Sequence, residues 1–158
     1  MESSLGPASE RNEKVKKSYR IDSVAQGFAD EFLRASLPSQ RAILVAACDA
    51  GLRNAGVVEP VASNALELIR SGSSGTDALR KDLDGLVAQY DEEYFSRSEE
   101  EGRVDLKAMV KFSKARAFAA LSYALGEGDD WLEALYEAVS TMDEQKPIVE
   151  RLRELLMA

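Results

Sequence analysis

Histidine is absent from this sequence and cysteine occurs once, which removes most of the side chains used in enzyme chemistry. Without histidine, neither a Ser-His-Asp triad nor a Cys-His pair can form, and the commonest zinc sites lack ligands. The single thiol, Cys48, lies among apolar residues at helical spacing. We therefore predict that Cys48 is a buried apolar side chain and not a nucleophile.

Carboxylates are the abundant reactive groups, because 28 Asp and Glu stand against 20 Lys and Arg, for a net charge of −8. Residues 82–85 (Asp-Leu-Asp-Gly) resemble part of a calcium loop, but when Gly85 takes the place of the loop glycine, Arg80 stands where the third acid is needed and Asp91 where the closing glutamate is needed. Residues 127–130 offer carboxylates to a cation such as Mg²⁺, yet Asp129 and Asp130 suit the first turn of a following helix better. We predict no catalytic residue, no metal site and no cofactor.

The acids concentrate in two blocks, residues 77–105 with ten acids and residues 126–145 with seven acids and no basic residue. Two acid triplets lie at the end of the predicted fourth helix and in the link beyond it. Dense like charge accelerates association with an oppositely charged partner, and aromatic side chains with a charged rim are typical of interfaces. The partner-binding residues predicted on this basis are Asp91, Glu92, Glu93, Tyr94, Glu99, Glu100, Glu101, Asp129, Asp130 and Trp131.

A plainer interpretation of the same acids is that they are solvated or paired within the chain. Lys107, Lys111 and Lys114 share one helix face between the two acidic blocks and offer an internal complement. The basic residues of the first 20 positions are too few and too dispersed to predict nucleic-acid binding.

Apolar residues recur with helical period over nearly the whole chain after Ile21. Asp22 or Ser23 is the predicted cap of a first helix that carries Val24, Phe28 and Leu33. Ser36 and Pro38 predict the start of a second helix, Gly56 its end, and Pro60 the start of a third. Asp105 begins the predicted fifth helix, and Asp143 caps the predicted seventh. We expect an all-α fold: a single compact bundle of about six or seven helices over residues 21–158, with residues 1–20 as a flexible tail.

The composition favours a non-enzymatic protein-binding module whose acidic helical surface binds or inhibits a more basic protein, as an immunity protein or antitoxin holds a cationic toxin. The alternative is a helical adaptor or a homodimer joined through the apolar last helix. A carboxylate- or Mg²⁺-dependent enzyme is the third interpretation. Because no secretory signal or membrane span is recognisable, we expect a cytoplasmic protein without a membrane partner.

Overall fold

The computed structural model describes residues 18–101 and 105–158. These residues form a 3-10 turn over Arg20–Ser23, seven α-helices and no strand, which confirms the predicted all-α bundle. The helices are α1 (Phe28–Arg34), α2 (Leu37–Ala55), α3 (Pro60–Ser71), α4 (Asp77–Glu101), α5 (Leu106–Ala124), α6 (Asp130–Val139) and α7 (Lys146–Met157). None of these helices is both long and apolar enough to cross a membrane.

Local sequence signals set several helix ends as predicted. The Ser36 hydroxyl accepts a hydrogen bond from the Ser39 amide at the start of α2, and Asp105 caps α5 by accepting from the Ala108 amide. Gly56 ends α2 with a φ of 72°, a conformation that costs glycine little and other residues more. Caps of this kind satisfy amides and carbonyls that have no partner inside the helix.

The first helix differs from the prediction, which placed Val24, Phe28 and Leu33 on one continuous helix. Gly27, with a φ of 80°, separates the 3-10 turn from α1. The predicted cap Asp22 lies in the turn, and its carboxylate accepts a hydrogen bond from the Ala29 amide in the first turn of α1. Leu33 is half exposed and therefore does not belong to the core.

The core lies where α5 packs against α2, α3 and α6. Its largest fully buried side chains come from the 3-10 turn and from every helix except α3: Ile21, Phe28, Phe32, Ile43, Leu44, Leu83, Phe118, Leu121, Leu132, Leu135, Val139 and Leu152. Buried alanines on α5 let neighbouring helices approach closely, because an alanine adds only one methyl group between two backbones. By contrast, α4 packs mainly against α5, so the two helices form an antiparallel hairpin on the side of the bundle.

Both ends of the described chain attach to this bundle. The Tyr19 hydroxyl donates to Asp129, and Arg20 donates to Glu133 of α6, so these two residues of the predicted tail contact the bundle. The rest of the predicted tail, residues 1–17, lies outside the described residues. The apolar last helix docks on its own core through buried Val149 and Leu152, while Leu155 beside them is only partly buried.

Candidate protein-binding surface

The α4–α5 hairpin carries most of the predicted binding residues and is held together by an aromatic stack. The Tyr90 and Phe118 rings lie 5.9 Å apart between centroids with nearly parallel planes. The Tyr90 hydroxyl donates to the Glu59 carboxylate at 2.6 Å, and this bond together with burial raises the pKa of Tyr90 to about 12. Burial also disfavours the ionised Glu59, but the donors around it and Lys114 outweigh that effect and lower its pKa.

Two of the predicted interface acids are neutralised by basic residues of α5. Asp91 accepts from Arg116 at 2.9 Å, and Glu93 pairs with Lys111 at 2.9 Å. The hydrogen bond from Lys111 is the main reason that the pKa of Glu93 is lowered. The internal pairing considered as the plainer interpretation is therefore present for Asp91 and Glu93, and these two carboxylates are less available to a partner.

Arg116 extends the pairing into the bundle. Its other guanidinium nitrogen donates at 3.1 Å to Glu137 of α6, which also accepts from Arg20. Glu137 is only 4% exposed, and its burial raises its pKa despite the attraction of the two arginines. This chain of charges ties the hairpin to α6, a role in stability that the acid count of the sequence did not reveal.

The second predicted group, at the start of α6, serves the fold in the same way. Asp129 accepts from the Tyr19 hydroxyl, and Asp130 pairs with Arg80 of α4 at 3.3 Å. The Trp131 ring is half buried, and its indole N–H donates to the Gly126 carbonyl at 3.0 Å. Trp131 thus packs at a helix start through part of its ring, and the rest of the ring remains accessible.

The structure does not bring the two predicted groups together. Asp130 lies beside Arg80, in the first turn of α4, whereas the acid triplets lie at the opposite end of that helix. Glu92 follows Arg80 by twelve residues, about 18 Å along a helix that rises 1.5 Å per residue. The predicted binding residues therefore lie in two separate places.

The remaining predicted residues lie along the last turns of α4, which runs on through both acid triplets instead of ending between them. Glu92 and Glu99 are exposed, and within the described part of the chain they form no ion pair. Tyr94 is half buried against the Phe112 ring, 5.4 Å away between centroids. The side chains of Glu100 and Glu101 lie outside what the structure describes.

The structure adds exposed apolar residues that the sequence interpretation did not assign to an interface. Phe95 is 61% exposed between Glu92 and Glu99, and Leu106, Met109 and Val110 are exposed at the start of α5. We call these six residues the hairpin end: Glu92, Phe95, Glu99, Leu106, Met109 and Val110. An aromatic side chain exposed to this extent between two free carboxylates is typical of a binding surface.

A sequence signal for this surface exists but is ambiguous. Leu106, Met109 and Val110 have the spacing of one helix face, and that face continues into buried Ala117 and Leu121. The first half of this helix face is exposed, while the second half is buried in the core. Only the packing of the other helices determines where burial begins.

The structure shows the surroundings of the thiol and of the candidate metal ligands considered in the sequence analysis. Cys48 is fully buried, and burial raises the pKa of its thiol to about 12. Within the described residues, no group of three or more acidic, cysteine or histidine side chains is arranged to hold a metal ion.

Comparison with known proteins yields no relative. No protein-family model matches this chain, and neither a curated protein nor a solved structure is similar to it.

Proposed function

We propose that this protein is a non-catalytic, cytoplasmic binding module that holds a more basic protein through the hairpin end. The observation that carries the proposal is the exposure of Phe95 between Glu92 and Glu99, two carboxylates with no internal ion pair among the described residues. An apolar anchor with an acidic rim fits a partner surface with an apolar pocket and lysine or arginine side chains around it.

The position of the hairpin end supports the proposal. Half of the exposed large apolar side chains in the described part of the chain lie there: Phe95, Leu106, Met109 and Val110. Because α4 packs mainly against α5, the other described helices leave Glu92, Phe95 and Glu99 exposed on it. A partner can therefore reach this face without any rearrangement of the core.

The proposed surface is smaller than the one that the sequence suggested. Asp91, Glu93, Asp129 and Asp130 have hydrogen-bond or ion-pair partners within the chain, so the proposal rests on Glu92 and Glu99 with the exposed apolar residues. One concrete form of such a module is an immunity protein or antitoxin that neutralises a cationic toxin.

The test is copurification of the tagged chain with the products of neighbouring genes and with proteins of its own cell lysate. A basic partner should copurify with the wild type and be lost with Glu92→Lys/Glu99→Lys. Phe95→Ala should weaken binding about tenfold or more, since buried aromatic anchors carry roughly 2 kcal/mol or more. Raising the salt concentration should weaken binding further by screening the carboxylates.

The matched control is Asp143→Lys/Glu150→Lys, which makes the same change in net charge at two exposed acids outside the hairpin end. This control should retain the partner. A partner lost equally with both double variants, or kept by the hairpin variant, contradicts the proposed surface. A chain that captures no basic protein at all contradicts the proposed function.

A further inference from the structure

A second surface of opposite character lies on α2, α3 and α7. It is a groove of about 490 Å³ whose apolar lining consists of Pro38, Ala42, Val45, Ala46 and Leu155. Three arginines from three different helices border it: Arg41, Arg70 and Arg151. We call these eight residues the arginine groove.

The arginine groove is a positive site in a protein of net charge −8. No carboxylate is among its lining residues, and within the described part of the chain neither Arg41 nor Arg151 forms an ion pair. Arg70 pairs with Glu67, three residues earlier on the same helix, and both side chains are more than half exposed. Exposed pairs of this kind are weak, so Arg70 can exchange Glu67 for another carboxylate at little cost.

The features of the groove specify its ligand. Apolar side chains on the floor require an apolar anchor, and three arginines on separate walls require more than one carboxylate near that anchor. The hairpin end has this composition: Glu92, Phe95 and Glu99 lie at offsets of zero, three and seven on one helix face, so the two carboxylates flank the ring about 10 Å apart.

We infer that the arginine groove of one copy of the chain receives the hairpin end of a second copy, with Phe95 on the apolar floor and Glu92 and Glu99 paired with the arginines. This inference rests on the surface named in the proposed function and adds a second occupant for it, because the groove is locally positive although the chain as a whole is acidic. Because the two contacting surfaces differ, the contact is heterologous and joins copies head to tail.

The experiment is sedimentation velocity of the full chain from micromolar to millimolar concentration, with charge-reversed variants. The wild type should associate as its concentration rises. Glu92→Arg/Glu99→Arg alone and Arg70→Glu/Arg151→Glu alone should be monomers, because each then presents like charges on both surfaces. An equimolar mixture of the two variants should associate again. The hairpin variant then carries two positive surfaces and the groove variant two negative ones, so each contact between unlike variants joins opposite charges.

The matched control is Arg34→Glu/Arg53→Glu, which like the groove variant reverses one exposed arginine without an ion pair and one with a local partner. This control should associate like the wild type. Circular dichroism of each variant confirms that the helices remain folded.

A wild type that stays monomeric at every concentration overturns the inference, and so does a mixture that fails to associate. Association that survives both double reversals shows that another surface joins the copies and also overturns it. If the wild type is a monomer but loses its basic partner on Glu92→Lys/Glu99→Lys, the inference fails while the proposed function stands. If the charge swap restores association but no basic protein copurifies, the proposed function fails instead.

Discussion

The guanidinium of Arg41 fills the space that a side chain on Gly72 would need. A Cβ built on Gly72 would lie 2.5 Å from the Arg41 Cζ atom, far inside contact distance. Gly72 also ends α3 with a φ of 71°, and its amide donates to the Leu68 and Ile69 carbonyls. Two separate constraints, backbone conformation and close approach, therefore act on this glycine.

Gly72→Ala should lower the free energy of unfolding by about 2–3 kcal/mol, against about 1 kcal/mol for Gly56→Ala. Gly56 ends α2 with nearly the same φ, but a Cβ there meets no atom within 4 Å. Urea unfolding followed by circular dichroism measures both losses. Adding Arg41→Ala to Gly72→Ala should recover most of the difference, whereas equal losses at the two glycines would refute the contact.

Arg116→Leu should lower the free energy of unfolding by roughly 3–5 kcal/mol, because it leaves Glu137 buried with only Arg20 as a partner. Lys111→Met is the control, since it breaks the half-exposed pair with Glu93 and should cost no more than about 1 kcal/mol. Similar losses for the two variants would contradict the role assigned to Glu137.

The pH dependence of the Arg116→Leu variant should reveal the charge on Glu137. Burial already raises the pKa of Glu137, and loss of the Arg116 attraction raises this pKa further. An acid whose folded pKa is raised costs stability when it is ionised, so the variant should regain stability as the pH falls from neutral through that pKa. Urea unfolding at several pH values measures this gain, which Glu137→Gln in the same background should abolish.

Tyr90→Phe should cost about 1–3 kcal/mol, because it removes the hydroxyl that donates to Glu59, whose other oxygen is already buried with no hydrogen-bond partner among the described residues. The pKa of Tyr90 is raised from 10 to about 12, so the wild type should lose stability as the pH rises through that interval. Tyr90→Phe should lack this part of the loss. Tyr94→Phe is the control, and an identical alkaline profile for both variants would contradict the assignment.

Cys48 should not react with a thiol reagent in the native protein at mildly alkaline pH. The side chain is 1% exposed, and burial raises its pKa to about 12, so both access and thiolate formation are suppressed. Labelling with Ellman's reagent should be complete in guanidinium chloride and otherwise proceed only as fast as the protein opens. Rapid stoichiometric labelling under native conditions would show that Cys48 is accessible.

The local features of this fold follow from the sequence alone. Ser36, Gly56, Pro60 and Asp105 mark helix ends in the structure where their chemistry predicts them. Such signals succeed because a cap acts over three or four residues. The predicted cap at Asp143 is wrong because α7 begins three residues later, at Lys146.

The binding surface depends instead on contacts between distant residues. The sequence placed Asp91 and Glu92 in one acidic triplet, but only Asp91 meets Arg116, 25 positions further along the chain. Likewise, Leu106 and Leu121 share one helical stripe, yet Leu106 is 85% exposed and Leu121 is fully buried.

The amino-acid sequence by itself determined the helical class of the fold, several helix ends and the excess of acid, because these depend on residue type and short-range spacing. Tertiary structure alone decided which carboxylates are neutralised and which apolar side chains remain exposed. The physical reason is that ion pairing and burial depend on which helices pack together, and the period of one helix carries no information about its neighbours.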